Sequence, residues 1–299
     1  MAERVIVNDV GPRDGLQNQQ KILTPDERIR LVRALLAAGM THIEVAAFVS
    51  PKAVPAMAGA AEVVAGLEDE DAEFSVLIPN MKGYELAVDA GARAVAMVLY
   101  GTDRMAEANV RMTMREAEEA TEAIIDRARG DGVQVMATVS VAFECPFEGP
   151  VDPAVIQGIA TRFLEAGADQ LIVADTIGAA NPGQVRAMME EMVGRHGAER
   201  LGCHFHDTRA MGLANVYAAL EAGVRRFDAS IGGLGGCPFA PGASGNVATE
   251  DVVMMLHQMG FETGIDLVKL MDASRLATEL TGTAPGGRAK IWLERYLAA

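Results

Sequence analysis

Short apolar runs alternate with longer amphipathic ones along nearly the whole chain. The short runs are Arg4–Val10, His42–Ala46, Glu73–Pro79, Ala94–Tyr100, Gln134–Ala142, Gln170–Asp175, Leu201–His206 and Arg226–Ile231. Their length and apolar content read as strands. Between them, Pro25–Ala38, Met81–Ala90, Met114–Arg129, Pro153–Glu165, Pro182–Arg195 and Ala210–Glu221 repeat apolar residues at helical spacing. Strands that alternate with helices imply a parallel sheet. Eight such units in about 250 residues predict an α/β fold of the closed (β/α)8 TIM barrel type. Residues 265–299 read as further helix outside the barrel. The expected organisation is one barrel domain over 1–299, with 265–299 as a C-terminal helical extension.

An internal repeat supports the barrel. An Ala-Gly pair ends a helix and leads into a strand in AAGMTHIEV, DAGARAVAM, EAGADQLIV and EAGVRRFDA. Its glycines, Gly39, Gly91, Gly167 and Gly223, suit the left-handed position that closes a helix. The competing open doubly wound sheet often carries a glycine-rich phosphate turn after its first strand, and the sequence has none.

Composition narrows the function. The 299 residues carry a net charge of −15, which disfavours nucleic acid and anionic membrane surfaces as partners. An anionic substrate therefore needs local cations working against the global field. Three cysteines without a CxxC pair argue against a disulfide framework and for a reducing compartment. A strand pattern that begins at Arg4 leaves no room for a signal peptide, and no apolar run reaches membrane-spanning length. A cytoplasmic location is expected.

In a parallel barrel the chemistry sits at the C-terminal ends of the strands. The polar residues that are costly to bury fall there: Asp14 after the first strand, Glu44 on the second, Asp175 ending the sixth, His204 and His206 on the seventh. Residues i and i+2 of a strand face the same way, about 6.6–6.8 Å apart, so His204 and His206 can grip one ion. A lone core histidine would read as structural; a paired H-x-H on a barrel strand reads as a metal site. The neighbouring Asp207 is expected to orient one ring from behind. Asp14 is the natural carboxylate ligand, in a tight Gly-Pro-Arg-Asp-Gly turn whose bland reading is a surface ion pair. A mixed nitrogen and oxygen set fits an exchangeable six-coordinate divalent ion, Mg²⁺ or Mn²⁺.

The stretch Gly232–Asp251, GGLGGCPFAPGASGNVATED, has six glycines and two prolines and no helix or strand period. Long irregular segments in compact domains are functional or disordered. Periodicity resumes at once in EDVVMMLHQM, so an ordered loop holding Cys237 as a reactive group is expected, against the bland reading of an inert surface loop.

The motifs VGPRDGLQNQ, IEVAAFVSPKAVPAMA, the pair DTIG and HDT, and above all GGLGGCPFAPGASGNVATEDVV resemble the hydroxymethylglutaryl-CoA lyase family of metal-dependent barrel lyases, the DRE-metallolyases. The resemblance runs from Val7 to about Gly264. It implies that Asp14, His204, His206 and Asn246 are divalent-metal ligands. It also implies that Arg13 steadies the thioester carbonyl as it becomes an enolate, that Cys237 is the catalytic loop cysteine and His204 a proton donor, and that Glu44 and Asp175 support these groups. Gln17, Ala47, Phe48, Ile172 and Arg209 then fall around the substrate.

The implied reaction is retro-Claisen cleavage of a 3-hydroxy-3-methylglutaryl-CoA-like thioester to acetyl-CoA and a keto acid, acetoacetate in the parent case, within leucine catabolism. A homodimer is expected, with an acyl-CoA thioester as the partner and neither nucleic acid nor membrane.

Three positions depart from the family pattern. Ala47 and Ile172 stand where serines are usual, and Arg209 where an aromatic residue is. The expectation is an unchanged reaction class with an altered acyl group. Lys21, Lys52 and Lys82 are candidates for the CoA phosphates. The competing readings are a Claisen synthase or aldolase on the same metal barrel, which need not carry the cysteine loop, and a non-catalytic binding barrel.

Overall fold

The computed structural model describes residues 2–236, 245–283 and 286–297. The eight expected strands all form, as β1 (Ile6–Asp9), β2 (His42–Ala47), β3 (Glu73–Leu77), β4 (Ala94–Tyr100), β5 (Gln134–Ser140), β8 (Gln170–Asp175), β9 (Leu201–Phe205) and β10 (Arg226–Ala229). Two short strands, β6 (Glu144–Cys145) and β7 (Gly149–Pro150), form a separate antiparallel ribbon after β5. The eight long strands close in the order β1-β10-β9-β8-β5-β4-β3-β2, all parallel. This is the (β/α)8 barrel.

The helices are α1 (Pro25–Ala37), α2 (Ala60–Ala65), α3 (Met81–Asp89), α4 (Asp103–Val110), α5 (Met114–Asp131) and α6 (Pro153–Ala166). They continue as α7 (Pro182–His196), α8 (Gly212–Glu221), α9 (Thr249–Gln258), α10 (Leu267–Thr281) and α11 (Lys290–Tyr296). Their starts have local causes. Thr24 with Glu27, Thr113 with Glu116 and Asn181 with Gln184 each exchange side-chain and backbone hydrogen bonds as capping boxes. Helix α8 begins two residues later than its periodicity suggests, because Ala210 takes a left-handed φ of 58°.

The repeated glycines behave as their spacing requires. Gly39, Gly91, Gly167 and Gly223 all have φ between 90° and 112°, a region where a Cβ is disfavoured. Each turns the chain from a helix back under the barrel.

Strand alternation separates core from site. On β9 and β10, Phe205 and Phe227 are fully buried in the hydrophobic core, whereas their neighbours His204 and Asp228 line the barrel mouth. Register places Asn8 beside Asp228 and Asp228 beside His204. One polar row therefore crosses three adjacent strands.

Candidate metal centre and active site

The first strand leads into a single wide helical turn, Gly11–Gly15, that carries Arg13 and Asp14. Its glycines are needed for close approach. A Cβ on Gly11 would lie 2.7 Å from Asp9 Oδ1 and 2.8 Å from Ile231 Cγ2, and one on Gly15 would lie 2.8 Å from Leu234 Cβ and Ser230 Oγ. The turn is thus pressed against the segment that follows β10. Asp9 ties the two together by accepting from Gly11 N–H (2.8 Å) and Thr249 Oγ1 (2.7 Å).

That segment returns to the seventh barrel strand. Asn246 bridges to His206, Asp207 N–H donates to the Gly245 carbonyl and Val247 N–H to that of Phe205. The metal-binding groups of Asp14, His204 and His206 all lie within 4.8 Å of one another. Asn246 Nδ2 donates to Asp14 Oδ2 (2.8 Å) and to the Leu234 carbonyl (3.1 Å). Its Oδ1, and Nδ1 of His206, are buried without a hydrogen-bond partner. Unpaired buried polar atoms are costly, and a cation held by two imidazoles, a carboxylate and an amide oxygen would engage such atoms. The donor set therefore fits a divalent metal.

Electrostatics agree with that use at Asp14 and His206. Burial alone would raise the Asp14 carboxyl, but Arg13, the two imidazoles and the Asn246 amide outweigh it and hold the group at about 2. Burial, then the charge of His204, pushes His206 down to about 4, so its ring is neutral near pH 7. For His204 burial also opposes the charge, but the bond to Asp228 and its charge raise the ring above its ordinary value. Neutral imidazole and ionised carboxylate are the forms that bind metal.

Arg13 is clamped beside this set. Its Nε donates to Glu44 Oε2 (2.8 Å), its Nη2 lies 2.6 Å from the same oxygen, and its Nη1 donates to Asp14 Oδ1 (2.8 Å). Gln17 Nε2 also donates to Asp14 Oδ1, at 3.1 Å. Burial raises Glu44, which the Arg13 charge offsets only in part. A cavity of about 700 Å³ opens over these groups, and Arg13, Gln17, Glu44 and Ile172 line it.

Other expected residues lie elsewhere. Asp207 does not orient a ring: its Oδ1 accepts from Gly212 N–H at 2.8 Å and caps α8. Asp228 does so instead, with Oδ2 3.2 Å from His204 Nδ1 and Oδ1 accepting from Asn8 Nδ2 at 2.8 Å. Asp175 accepts from the amides of Ala179 and Ala180 and does not line the cavity, and burial raises its carboxyl to about 6. It shapes the DTIG turn, whose Gly178 (φ 65°) sits so close to Thr208 of HDT that a Cβ would meet it at 2.8 Å. Ala47 and Phe48 are packed in the core and also stay off the cavity wall, where Val49 and Ser50 appear instead. Arg209 is exposed and paired with Glu144 at 3.3 Å. Cys237 lies outside the described residues; Gly236, just before it, lines the cavity and its carbonyl accepts from Asn18 Nδ2.

Comparison with known proteins fits this geometry. The HMGL-like family model matches residues 4–277. The chain is 39% identical over 290 residues to the 3-hydroxy-3-isohexenylglutaryl-CoA/hydroxy-methylglutaryl-CoA lyase of Pseudomonas aeruginosa, covering 97% of each. It is 41% identical over 283 residues to the (R)-citramalyl-CoA lyase of Chloroflexus aurantiacus, covering 91% of this chain and 89% of that protein. Among solved structures it is similar to an HMG-CoA lyase from Acinetobacter baumannii in complex with coenzyme A and 3-methylmalate. That match has a TM-score of 0.91 and 41% identity, and covers 96% of this chain and 94% of the other.

Proposed function

The chain belongs to the HMGL-like family, and from that premise and the site we propose that it is a divalent-metal-dependent lyase of a 3-hydroxy-3-methylglutaryl-CoA-like thioester. The products are acetyl-CoA and a keto acid. One observation carries the reading: Asp14, His204 and His206 converge with the unpartnered Asn246 Oδ1, beside a clamped Arg13.

Bound Mg²⁺ or Mn²⁺ would acidify the tertiary alcohol and neutralise charge as the carbon-carbon bond breaks. The chain does the rest. The carbinol proton leaves to a base, the C–C bond electrons pass into a thioester enolate, and the carbinol carbon becomes a ketone. The enolate carbon then takes up a proton, so the reaction is proton-neutral overall. Three of the five N–H groups of Arg13 are committed to Glu44 and Asp14. One remains on each terminal nitrogen for the thioester oxygen, and such a preorganised donor is worth about 2.7–4 kcal/mol in a transition state. Cys237 is the proposed proton relay; a free thiol has a pKa near 8.5, so a base role at neutral pH needs positive neighbours. His204, fixed in orientation by Asp228, is the proposed donor to the enolate. Asp175 supports the site at one remove through its turn.

The acyl group is the open choice. Ile172 lines the cavity with Met136 and Ala96, an apolar wall that favours a 3-hydroxyacyl-CoA with a larger apolar substituent at the carbinol carbon. The relatives named above act on acyl groups that differ there. The proposal extends to a single catalytic domain over 1–299 in a cytoplasmic homodimer of leucine catabolism; no helix among the described residues is long and apolar enough to cross a membrane. The test is acetyl-CoA release from hydroxymethylglutaryl-CoA and from analogues with longer C3 substituents, with Mg²⁺ or Mn²⁺ and after chelation. Metal-dependent release is expected. No release from any of these thioesters overturns the proposal, and fastest turnover on hydroxymethylglutaryl-CoA itself overturns the altered acyl pocket.

A further inference from the structure

The structure assigns Arg111, at the end of α4, as the residue that docks the phosphates of the CoA thioester; this rests on the lyase reading above. In the closed ring of strands β4 lies directly across the barrel from β10, whose two neighbours, β1 and β9, lead to Asp14 and to His204 and His206. Helix α4 follows β4. One cavity is lined both by the metal-binding set and by Arg111, so it crosses the mouth from the reacting end to this arginine. A thioester whose acyl end reaches the metal set directs its long arm, and the phosphates at the end of that arm, toward the far side.

Charge singles out the same residue. Among the described residues lining the cavity, Arg13 and Arg111 are the cations apart from the two histidines. Arg13 is anchored to Glu44 and Asp14 at the reacting end, and its two remaining N–H groups are assigned above to the thioester oxygen. Arg111 is exposed, and its side chain makes no ion pair or hydrogen bond among the described residues. The lysines favoured by sequence position, Lys21, Lys52 and Lys82, do not line the cavity, and Lys21 faces Glu27 at 3.7 Å. In a chain of net charge −15, a polyanionic ligand approaches against the overall field, and a local unpaired guanidinium is what can hold it.

Backbone geometry adds a third observation. Arg111 closes α4 in the left-handed conformation, φ 59° and ψ 36°. The helices α5, α6 and α10 close the same way with Gly132, Gly167 and Gly282. Glycine is the low-cost residue at that position. An arginine in that conformation, two residues before the Thr113 cap of α5, carries a backbone cost that use of the side chain offsets.

The experiment is calorimetric titration of the metal-loaded enzyme with free CoA and with pantetheine, for wild type, Arg111→Ala and Arg111→Lys. An exposed charge-assisted contact predicts CoA binding weakened about five- to tenfold in Arg111→Ala, between the top of the range for exposed ion pairs and the bottom of that for buried bonds to a charged group. Arg111→Lys should recover most of that loss, and pantetheine, which lacks phosphate, should bind all three alike. Steady-state kinetics with the CoA and pantetheine thioesters of hydroxymethylglutarate should show the same split in KM. Equal loss for both ligands would place Arg111 in the fold or on the acyl carboxylate and overturn the assignment, as would unchanged CoA binding. CoA titration needs no turnover, so the Arg111 assignment can fail while the lyase reading stands, and the reverse.

Discussion

Removing the carboxylate behind His204 should loosen the metal while leaving the fold intact. Asp228 Oδ2 faces His204 Nδ1 at 3.2 Å and Oδ1 holds the Asn8 amide at 2.8 Å, all within the barrel. Asp228→Asn keeps an oxygen for the ring if Asn8 turns its amide over, so this variant isolates the charge. Asp228→Ala removes both acceptors and leaves the ring free to turn. A bond from a charged group contributes about 1.5–3 kcal/mol, and loss of a carboxylate partner behind a metal-binding histidine typically weakens metal about 10- to 100-fold. The two ranges overlap, since each 1.36 kcal/mol is a factor of ten. We expect Mn²⁺ affinity to fall about tenfold in Asp228→Asn and about a hundredfold in Asp228→Ala, read by Mn²⁺ electron paramagnetic resonance. The melting temperature of the metal-stripped protein serves as the folding control. A folded Asp228→Ala that binds Mn²⁺ as wild type does would refute the role given to this row.

Three further outcomes follow from the same structure. Burial raises the Asp9 carboxyl to about 7, above its unfolded value, so folding favours the protonated form; that stability is complete below about pH 4 and is lost as the pH rises through 7, about 4 kcal/mol in all. Asp9→Asn should flatten denaturation midpoints over that window, and parallel curves for variant and wild type would contradict it. Glu250 is fully buried and accepts from Gly232 N–H, Gly287 N–H and Ser274 Oγ at 2.9–3.0 Å; Glu250→Ala strands three donors and should cost at least about 3 kcal/mol in urea unfolding, with early proteolysis near Gly286. Cys237→Ala should lower kcat at least a hundredfold with Mn²⁺ affinity unchanged, whereas retained turnover would favour the synthase-like reading.

The strands were the most legible feature of the sequence because each is a short apolar run bounded by polar or glycine residues. Ala94–Tyr100 and Gln170–Asp175 match to the residue. Others run past their hydrogen-bonded ends, as Arg4–Val10 does around Ile6–Asp9, since apolar character continues where pairing stops. The β6–β7 ribbon and α4 are too short and too polar to carry a period. Within the site, Asp14, His204 and His206 could be read from strand ends and from i, i+2 spacing. Asp228 could not, because its role depends on the register of β10 against β1 and β9, a relation between residues up to 220 apart. Asp207 drew attention as the sequence neighbour of His206, but consecutive residues there diverge, and it caps a helix. The general signal of such a residue is an acidic side chain at an inward strand position next to a metal-binding strand.

The most direct test is anomalous diffraction from crystals soaked in Mn²⁺. A single strong peak bounded by Asp14, His204, His206 and Asn246 is predicted, weakened or lost in His206→Ala. A well-occupied peak elsewhere in the barrel, or none at this site under saturating metal, would contradict the account.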